Sequence, residues 1–359
     1  MNAPLAQSVT LDESSTTFDH PEFSGHEQVV FAHDAASGLR AIIAVHDTRL
    51  GPALGGCRMW GYHSNREALT DALRLSKGMT YKNALAGLPL GGGKSVIIAD
   101  PKTQKTPELL SAFGKHVDRL AGGYITAEDV GITASDMEII AAETDHARGT
   151  KARGLGDPSP YTALGVFVGL QAAVRHQLKT DSLKGLRVSV QGLGNVGYGL
   201  CRHLHAHGAQ LIVSDIHKPN VERAVAEFGA TPIDPRHAHS ADADVYAPCA
   251  LGATLNVLTI PELKATVIAG AANNQLKTPT DGIALMDRGV LYAPDYVINA
   301  GGVISVAIAK AGDDDTEVRA KTLAIGDTLT AIFNRADEEQ RPTSVVADEI
   351  ALERLNAAG

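Results

Sequence analysis

The chain has 359 residues, 44% of them hydrophobic and 20% charged, enough for two ordinary domains with cores of their own. Its 32 Lys and Arg against 41 Asp and Glu leave a net charge of −9, which argues against a nucleic-acid footprint, because that needs a basic face. Three widely spaced cysteines form no CxxC, no apolar run approaches the roughly 20 residues of a membrane span, and no basic segment leads into an apolar run near Met1. The expectation is a cytoplasmic protein without a secretory signal and without a metal site.

Residues 1 to about 24 are polar and acidic and are expected to fray. Two β-like runs follow at 28–32 and 39–45, with Ser37 and Gly38 between them, and 51–56 reads as a loop. A helix is predicted over about 66–84, with Ala68, Leu69, Ala72, Leu73, Leu75 and Met79 near one face. After Gly91, Gly92 and Gly93 a strand is expected at 95–99. A helix with Pro107 in its first turn then runs to about 120. A strand at 124–127 ends at Glu128 and Asp129, and Thr133 caps another helix. The glycines and prolines of 149–160 read as a linker or hinge. Beyond Tyr161 helices alternate with strands at 187–192, 210–215, 244–247, 266–271 and 290–291, the last continuing toward 298. Helices at about 315–337 and 343–357 close the chain. This alternation implies a parallel sheet covered by helices. The fold class is therefore α/β with two domains and a cleft between them. Residues 1–149, completed by 336–359, form the first, and 150–335 form a Rossmann-type second.

The sequence Gly192-Leu193-Gly194-Asn195-Val196-Gly197 follows a predicted strand and opens a predicted helix. In such a fingerprint the first glycine permits a tight turn, the second lets backbone meet pyrophosphate, and the third lets helix pack on sheet. The next strand ends in Asp215, where a carboxylate hydrogen-bonds ribose hydroxyls and repels a 2′-phosphate, so NAD is favoured over NADP. A lone glycine fingerprint is a weak signal. Here strand, turn, helix, second strand and terminal acid occur in order.

Lys94 follows Lys82 by twelve positions, and three glycines precede Lys94, removing side chains where a ligand could approach. A phosphate-binding P-loop is the rival reading, but its first glycine would fall at Leu88 and the strand follows the lysine instead of preceding it. Two nearby ammonium groups depress each other's pKa, and burial depresses it further. One such lysine can act as a general base while the other, kept charged, holds a carboxylate, and Asp129 could shuttle protons. Taken singly, the ordinary readings lead: Lys82 as a helix C-terminal cation and Asp129 as a turn residue.

The segments 51–58 (GPALGGCR), 77–83 (KGMTYKN), 90–95 (LGGGKS), 125–131 (ITAEDVG), 191–197 (QGLGNVG), 246–252 (YAPCALG), 269–275 (AGAANNQ) and 292–302 (YAPDYVINAGG) together resemble the Glu/Leu/Phe/Val dehydrogenase family, most closely the branch acting on leucine. The resemblance implies reversible oxidative deamination of an L-amino acid by NAD to a 2-oxo acid and ammonia. It implies that Lys82 binds the substrate carboxylate, Lys94 activates water, and Asp129 handles the proton of the departing amine. It places Gly55 and Gly56 at the substrate floor and Asn299 along the cleft. Thr162 and Asn273 fall near the nicotinamide, with Cys249 and Ala250 among the cofactor contacts. Glutamate-selective relatives carry a lysine where Leu54 stands, so a second carboxylate would be unpaired here. With Leu54, Ala127 and Val303 as lining, the resemblance points to leucine, isoleucine and valine, with phenylalanine or tryptophan as the alternative. A catalytically silent NAD-binding regulator would be expected to lack one of Lys82, Lys94 and Asp129. Family members form homo-oligomers, commonly octamers.

Overall fold

The computed structural model describes residues 17–150, 156–309, 312 and 314–358. Most of the stretch expected to fray, and the middle of the 149–160 linker, lie outside the described residues. Strands β1 (Gln28–Asp34), β2 (Leu39–Asp47) and β3 (Ala53–Trp60) precede helix α1 (Asn65–Leu85). They are followed by β4 (Gly91–Ile98), α2 (Pro107–Asp118), β5 (Tyr124–Glu128) and α3 (Ala134–Ala141). The first sheet has the order β1-β2-β4-β3-β5, with β3 parallel to β4 and β5 and the other pairs antiparallel. Alternation along the strands gives each sheet face its own core. Ala68, Ala72 and Leu73 of α1 pack on Ile42, Ala44 and Val96. Leu110, Phe113 and Ile140 of α2 and α3 pack on Ile43, Val45 and Ile97. Ser64 caps α1 by accepting the Glu67 N–H at 3.1 Å, and Thr133 and Asp136 form a reciprocal capping box at α3.

Two expectations about glycines fail here. Residues 53–56 are not a loop but the start of β3, and 91–93 are the first three residues of β4. Turn-forming residues sit in strands because neighbours press against them. A Cβ on Gly55 would lie 1.7 Å from the Gly93 carbonyl oxygen, one on Gly92 2.0 Å from Thr80 Oγ1, and one on Gly93 2.7 Å from the Tyr124 ring. The glycines before Lys94 therefore admit helix α1 and an aromatic ring, not a ligand.

The second half of the chain runs α4 (Ser159–Leu178), β6 (Arg187–Gln191), α5 (Asn195–Ala206), β7 (Gln210–Ser214), α6 (Lys218–Phe228), β8 (Thr231–Pro232), β9 (Val245–Pro248), β10 (Val267–Ile268), α7 (Pro279–Asp287) and β11 (Leu291–Tyr292). Its six strands are all parallel, in the order β11-β10-β9-β6-β7-β8. Strand order reverses direction at β6 and β9, which opens a crevice beyond their carboxyl ends. The helices α8 (Asp295–Ile298), α9 (Gly301–Ile308), α10 (Thr316–Leu323), α11 (Ile325–Glu339) and α12 (Thr343–Ala358) finish the chain.

Three boundaries differ from expectation. The strand predicted toward 298 stops at Tyr292, because Pro294 has no N–H for a ladder and Asp295 opens α8 instead. The strand expected over 266–271 keeps regular pairing only at 267–268, since Pro248 at the end of β9 has no N–H to continue the ladder toward Gly270, which lies against it. The single helix expected over 315–337 is two helices meeting at Ala324, with Ile325 seated on Gly165 of α4. Helix α12 returns to the first half, where Arg354 Nη1 donates to the carbonyl oxygens of Ala84 and Leu85 at 2.9 Å each and satisfies the free end of α1. Among the described residues no helix is long and apolar enough to cross a membrane.

Thr80 cannot yield easily to a larger residue at 92, because His46 Nδ1 holds its Oγ1 at 2.8 Å. Gly92→Ala is expected to destabilise the protein by about 2–3 kcal/mol through overpacking, read as a lower urea midpoint. A midpoint equal to wild type would show that α1 does not lie on β4 at this point.

Candidate functional site

Helix α1 carries two functions on two faces. One buries Ala68, Ala72, Leu73, Ser76 and Thr80 on the sheet, while Leu75, Gly78, Met79 and Lys82 face a cavity of about 280 Å³. That cavity brings together Leu54, Gly55 and Gly56 of β3, Lys94 of β4, Ala127 at the end of β5, Asp129 just beyond it, Asn273, and Val303 of α9. Sequence reasoning named all of these. It missed Arg58, Asp295 and the further apolar lining of Leu75, Met79 and Val306. Leu75 and Met79, expected on the face of Ala68, Ala72 and Leu73, turn instead to the cavity with Lys82 at the spacing 75, 79 and 82, and Asp295, although inside the 292–302 segment, had no role read from the sequence.

Lys94 is buried, with 6% of its surface exposed, and its Nζ forms an ion pair with Asp129 Oδ2. Asp129 is held under β3 by the turn at Gly131, whose φ is +82° and whose Cβ would lie 2.1 Å from the Met59 carbonyl oxygen. On the other side of the same carboxylate oxygen, Arg58 Nε lies 3.5 Å away. Burial works to raise the Asp129 pKa, but the Lys94 and Arg58 charges outweigh it and hold the carboxyl down at about 2.

Lys82 sits in the last turn of α1, and its Nζ donates to Asn273 Oδ1 at 3.4 Å. Loss of hydration lowers its pKa to about 8, with the Lys94 charge adding to the effect and Asp295 opposing it. The depressed lysine is thus Lys82, the one that the resemblance assigns to carboxylate binding, while Lys94 is tied to an acid. Asp295 is buried beside this site. Its oxygens accept the N–H groups of Gln275 (2.8 Å) and Tyr296 (2.7 Å), and burial raises its pKa. Asn299 does not line the cavity. It lies one layer behind, donating from Nδ2 to Asn273 Oδ1 (2.8 Å) and the Ala271 carbonyl oxygen (3.0 Å), and so orients the residue that does.

The fingerprint turn has the shape that a dinucleotide pyrophosphate requires. Gly192 adopts φ +96° against Ala250, and a Cβ on Gly197 would lie 2.0 Å from the Gly192 carbonyl oxygen, whereas one on Gly194 would meet open space. Leu193, Gly194 and Asn195 border a groove of about 580 Å³ at the start of α5, with Val196 and Gly197 in the helix behind them. Asp215 Oδ2 accepts the Leu193 N–H at 2.6 Å and Oδ1 that of His217 at 2.7 Å. Burial opposes its charge, but these donors prevail and hold its pKa below the ordinary value. The Cys249 N–H closes on the Gln191 carbonyl at 2.7 Å, which fixes Cys249 and Ala250 at the mouth of the β6–β9 crevice. Thr162, in the first turn of α4, abuts Gly302 next to Val303. Among the described residues no group of three or more His, Cys, Asp or Glu is placed to hold a metal ion.

Residues 26–146 match the model of the Glu/Leu/Phe/Val dehydrogenase dimerisation domain, and 154–219 with 213–358 match that of the Glutamate/Leucine/Phenylalanine/Valine dehydrogenase family. The chain is 54% identical over 340 residues to leucine dehydrogenase of Geobacillus stearothermophilus, covering 94% of this chain and 93% of that one. It is 46% identical to valine dehydrogenase of Streptomyces virginiae, over 95% of this chain and 97% of the relative. The crystal structure of L-tryptophan dehydrogenase from Nostoc punctiforme superposes with a TM-score of 0.82 at 48% identity, covering 93% of this chain and 97% of that one.

Because the Lys82 charge is present below about pH 8 and lost above it, an unreactive aliphatic carboxylate should bind most tightly below that pH. Its Kd is expected to climb toward tenfold per pH unit at higher pH, and Lys82→Met should abolish both binding and slope. Calorimetric titration between pH 6.5 and 9.5 checks this, and a flat Kd would contradict it.

Proposed function

The chain belongs to the Glu/Leu/Phe/Val dehydrogenase family and is an amino-acid dehydrogenase, and on that premise we propose that it catalyses the reversible, NAD-dependent oxidative deamination of leucine, isoleucine and valine. The observation that carries this reading is the single apolar-walled cavity holding Lys82 beside the Lys94–Asp129 pair. Lys82, whose charge no carboxylate pairs directly among the described residues, takes the substrate carboxylate. Asp129, kept ionised by two cations, meets the substrate ammonium and relays its proton. A nicotinamide cofactor held by the 192–197 turn and its neighbours would supply the hydride acceptor for the substrate Cα, whose loss of hydride would leave an iminium. Lys94, made neutral by first releasing its own proton to solvent, then takes a proton from the water that adds to this carbon. Return of a proton through Asp129 to the nitrogen lets ammonia depart and the carbonyl form.

The residues suited to hold the cofactor are the 192–197 turn for the pyrophosphate and Asp215 for the ribose, with Thr162, Cys249, Ala250 and Asn273 toward the ring. The ionised Asp215 favours NAD over its 2′-phosphorylated form. The aliphatic tail would lie among Leu54, Ala127, Val303, Leu75, Met79 and Val306, where burying a leucine side chain is worth about 1.5–3 kcal/mol. A second carboxylate there would cost several kcal/mol unpaired. The tryptophan-active relative and the flexible Met79 favour aromatic substrates as a second reading. The two sheets are taken as the cores of two domains, 1–149 with 336–359 and 150–335. The enzyme is proposed to work in the cytoplasm as a homo-oligomer, with an octamer as the family expectation.

Initial rates on Leu, Ile, Val, Phe, Trp and Glu, with NAD and NADP in parallel, test the reading. Branched-chain substrates with NAD should lead, and glutamate as best substrate would refute the Leu54 argument. Lys94→Ala should lower kcat by about 10²- to 10⁴-fold while NADH binding, followed by fluorescence, is retained. A variant with wild-type turnover would remove Lys94 from the chemistry.

A further inference from the structure

Arg58 is three-quarters buried on β3, and none of the roles above uses it directly. It shares a strand face with Gly56, whose missing Cβ lets Asp129 close in; one there would lie 2.8 Å from Asp129 Cβ. The guanidinium is anchored away from the substrate side. Its Nη1 donates to Asp71 Oδ2 at 2.9 Å, and the same oxygen accepts the Tyr62 hydroxyl at 2.7 Å. Tyr62 and Asp71 border a separate surface cavity of about 440 Å³ and do not line the substrate cavity. Arg58 Nε is a buried donor without a hydrogen-bond acceptor, although Asp129 Oδ2 stands 3.5 Å from it. A small approach of that carboxylate would complete the bond.

We propose that Arg58 is a positioning residue: clamped by Asp71, it fixes the Asp129 carboxylate and keeps it ionised while Lys94 gives up and regains its proton. The two cations on Asp129 are not equivalent. A lysine used as a base becomes neutral, whereas a guanidinium stays charged throughout. Without Arg58, loss of the Lys94 charge would leave the half-buried Asp129 without a cation, and it would compete for the proton that the reaction must move elsewhere. Other groups facing Asp129 do not replace that charge. Glu128 adds negative charge, and Lys82 is committed to the substrate carboxylate, with Asp295 on its far side. The Cys57 thiol and the Tyr62 and Tyr124 phenols are held neutral by burial, which pushes their pKa values up.

This proposal rests on the amino-acid dehydrogenase reading. Its test is the pH profile of kcat and KM for leucine, from pH 6 to 10, for wild type, Arg58→Met, Arg58→Lys and Asp71→Asn. Arg58→Met is expected to lower kcat by about 10- to 100-fold with KM and NADH affinity little changed, and to move the acid limb of kcat to higher pH. Arg58→Lys should restore part of both effects. Asp71→Asn, which touches neither substrate nor cofactor, should produce the same shift more weakly, and it carries the test if Arg58→Met fails to fold. Wild-type kcat and acid limb in Arg58→Met and Asp71→Asn would overturn the proposal. A raised KM at unchanged kcat would also overturn it, by showing that Arg58 binds substrate directly. Absence of amino-acid turnover in the wild type would instead refute the underlying reading.

Discussion

The close approach of α1 to β4 is the constraint on which the site depends. Gly92 offers no side chain, so the backbone of Thr80 can lie against the strand. Asn83 Nδ2 then donates to the Gly91 carbonyl at 2.6 Å and ties the end of the helix to the start of the strand. Lys82 and Lys94 consequently point into one volume from two different elements. The arrangement is reinforced from far away in sequence, since Arg354 of α12 satisfies the last carbonyls of α1. The position of Lys82 is thus fixed by the sheet on one side and by the end of the chain on the other.

Charge within the cavity is distributed unevenly, and the unevenness describes the ligand. Asp129 has two cations beside it, and Asp295 is satisfied by backbone N–H groups. Among the described residues the hydrogen-bond acceptor of Lys82 is the amide oxygen of Asn273 at 3.4 Å, held in place by Asn299. A half-buried ammonium with so little compensation is poorly solvated, and the carboxylate of the proposed substrate would supply what the protein withholds. The proposed substrates, with one carboxylate, one amine and an uncharged tail, agree with the apolar lining beside it, where a second anionic group would go unpaired.

Much of the site was legible because family motifs carry Lys82, Lys94, Asp129 and the fingerprint turn at fixed spacing. The structure places Lys82, Lys94 and Asp129 around one cavity and the fingerprint turn on a separate groove at the start of α5. Asn299 was displaced to a supporting layer, because its amide is consumed by Asn273 and the Ala271 carbonyl. Glycine was the main source of error in the fold. Read locally, Gly55, Gly56 and Gly91 to Gly93 signal loops, yet each lies in a strand where another element leaves no room for a side chain. Local propensity contains no information about what packs across a sheet.

By itself the sequence determined the alternation of helices and strands, the parallel second sheet, the turn that suits a dinucleotide and the identity of the ionisable groups. These follow from periodicity, capping residues and short motifs, which act over a few residues. Tertiary structure alone decided that the Lys82 pKa falls, that Lys94 faces an acid, and that Arg58, Asp71 and Tyr62 stand in line behind Asp129. Those outcomes depend on distances and desolvation between residues remote in the chain, and such quantities come into being only when the two sheets and α1 are packed.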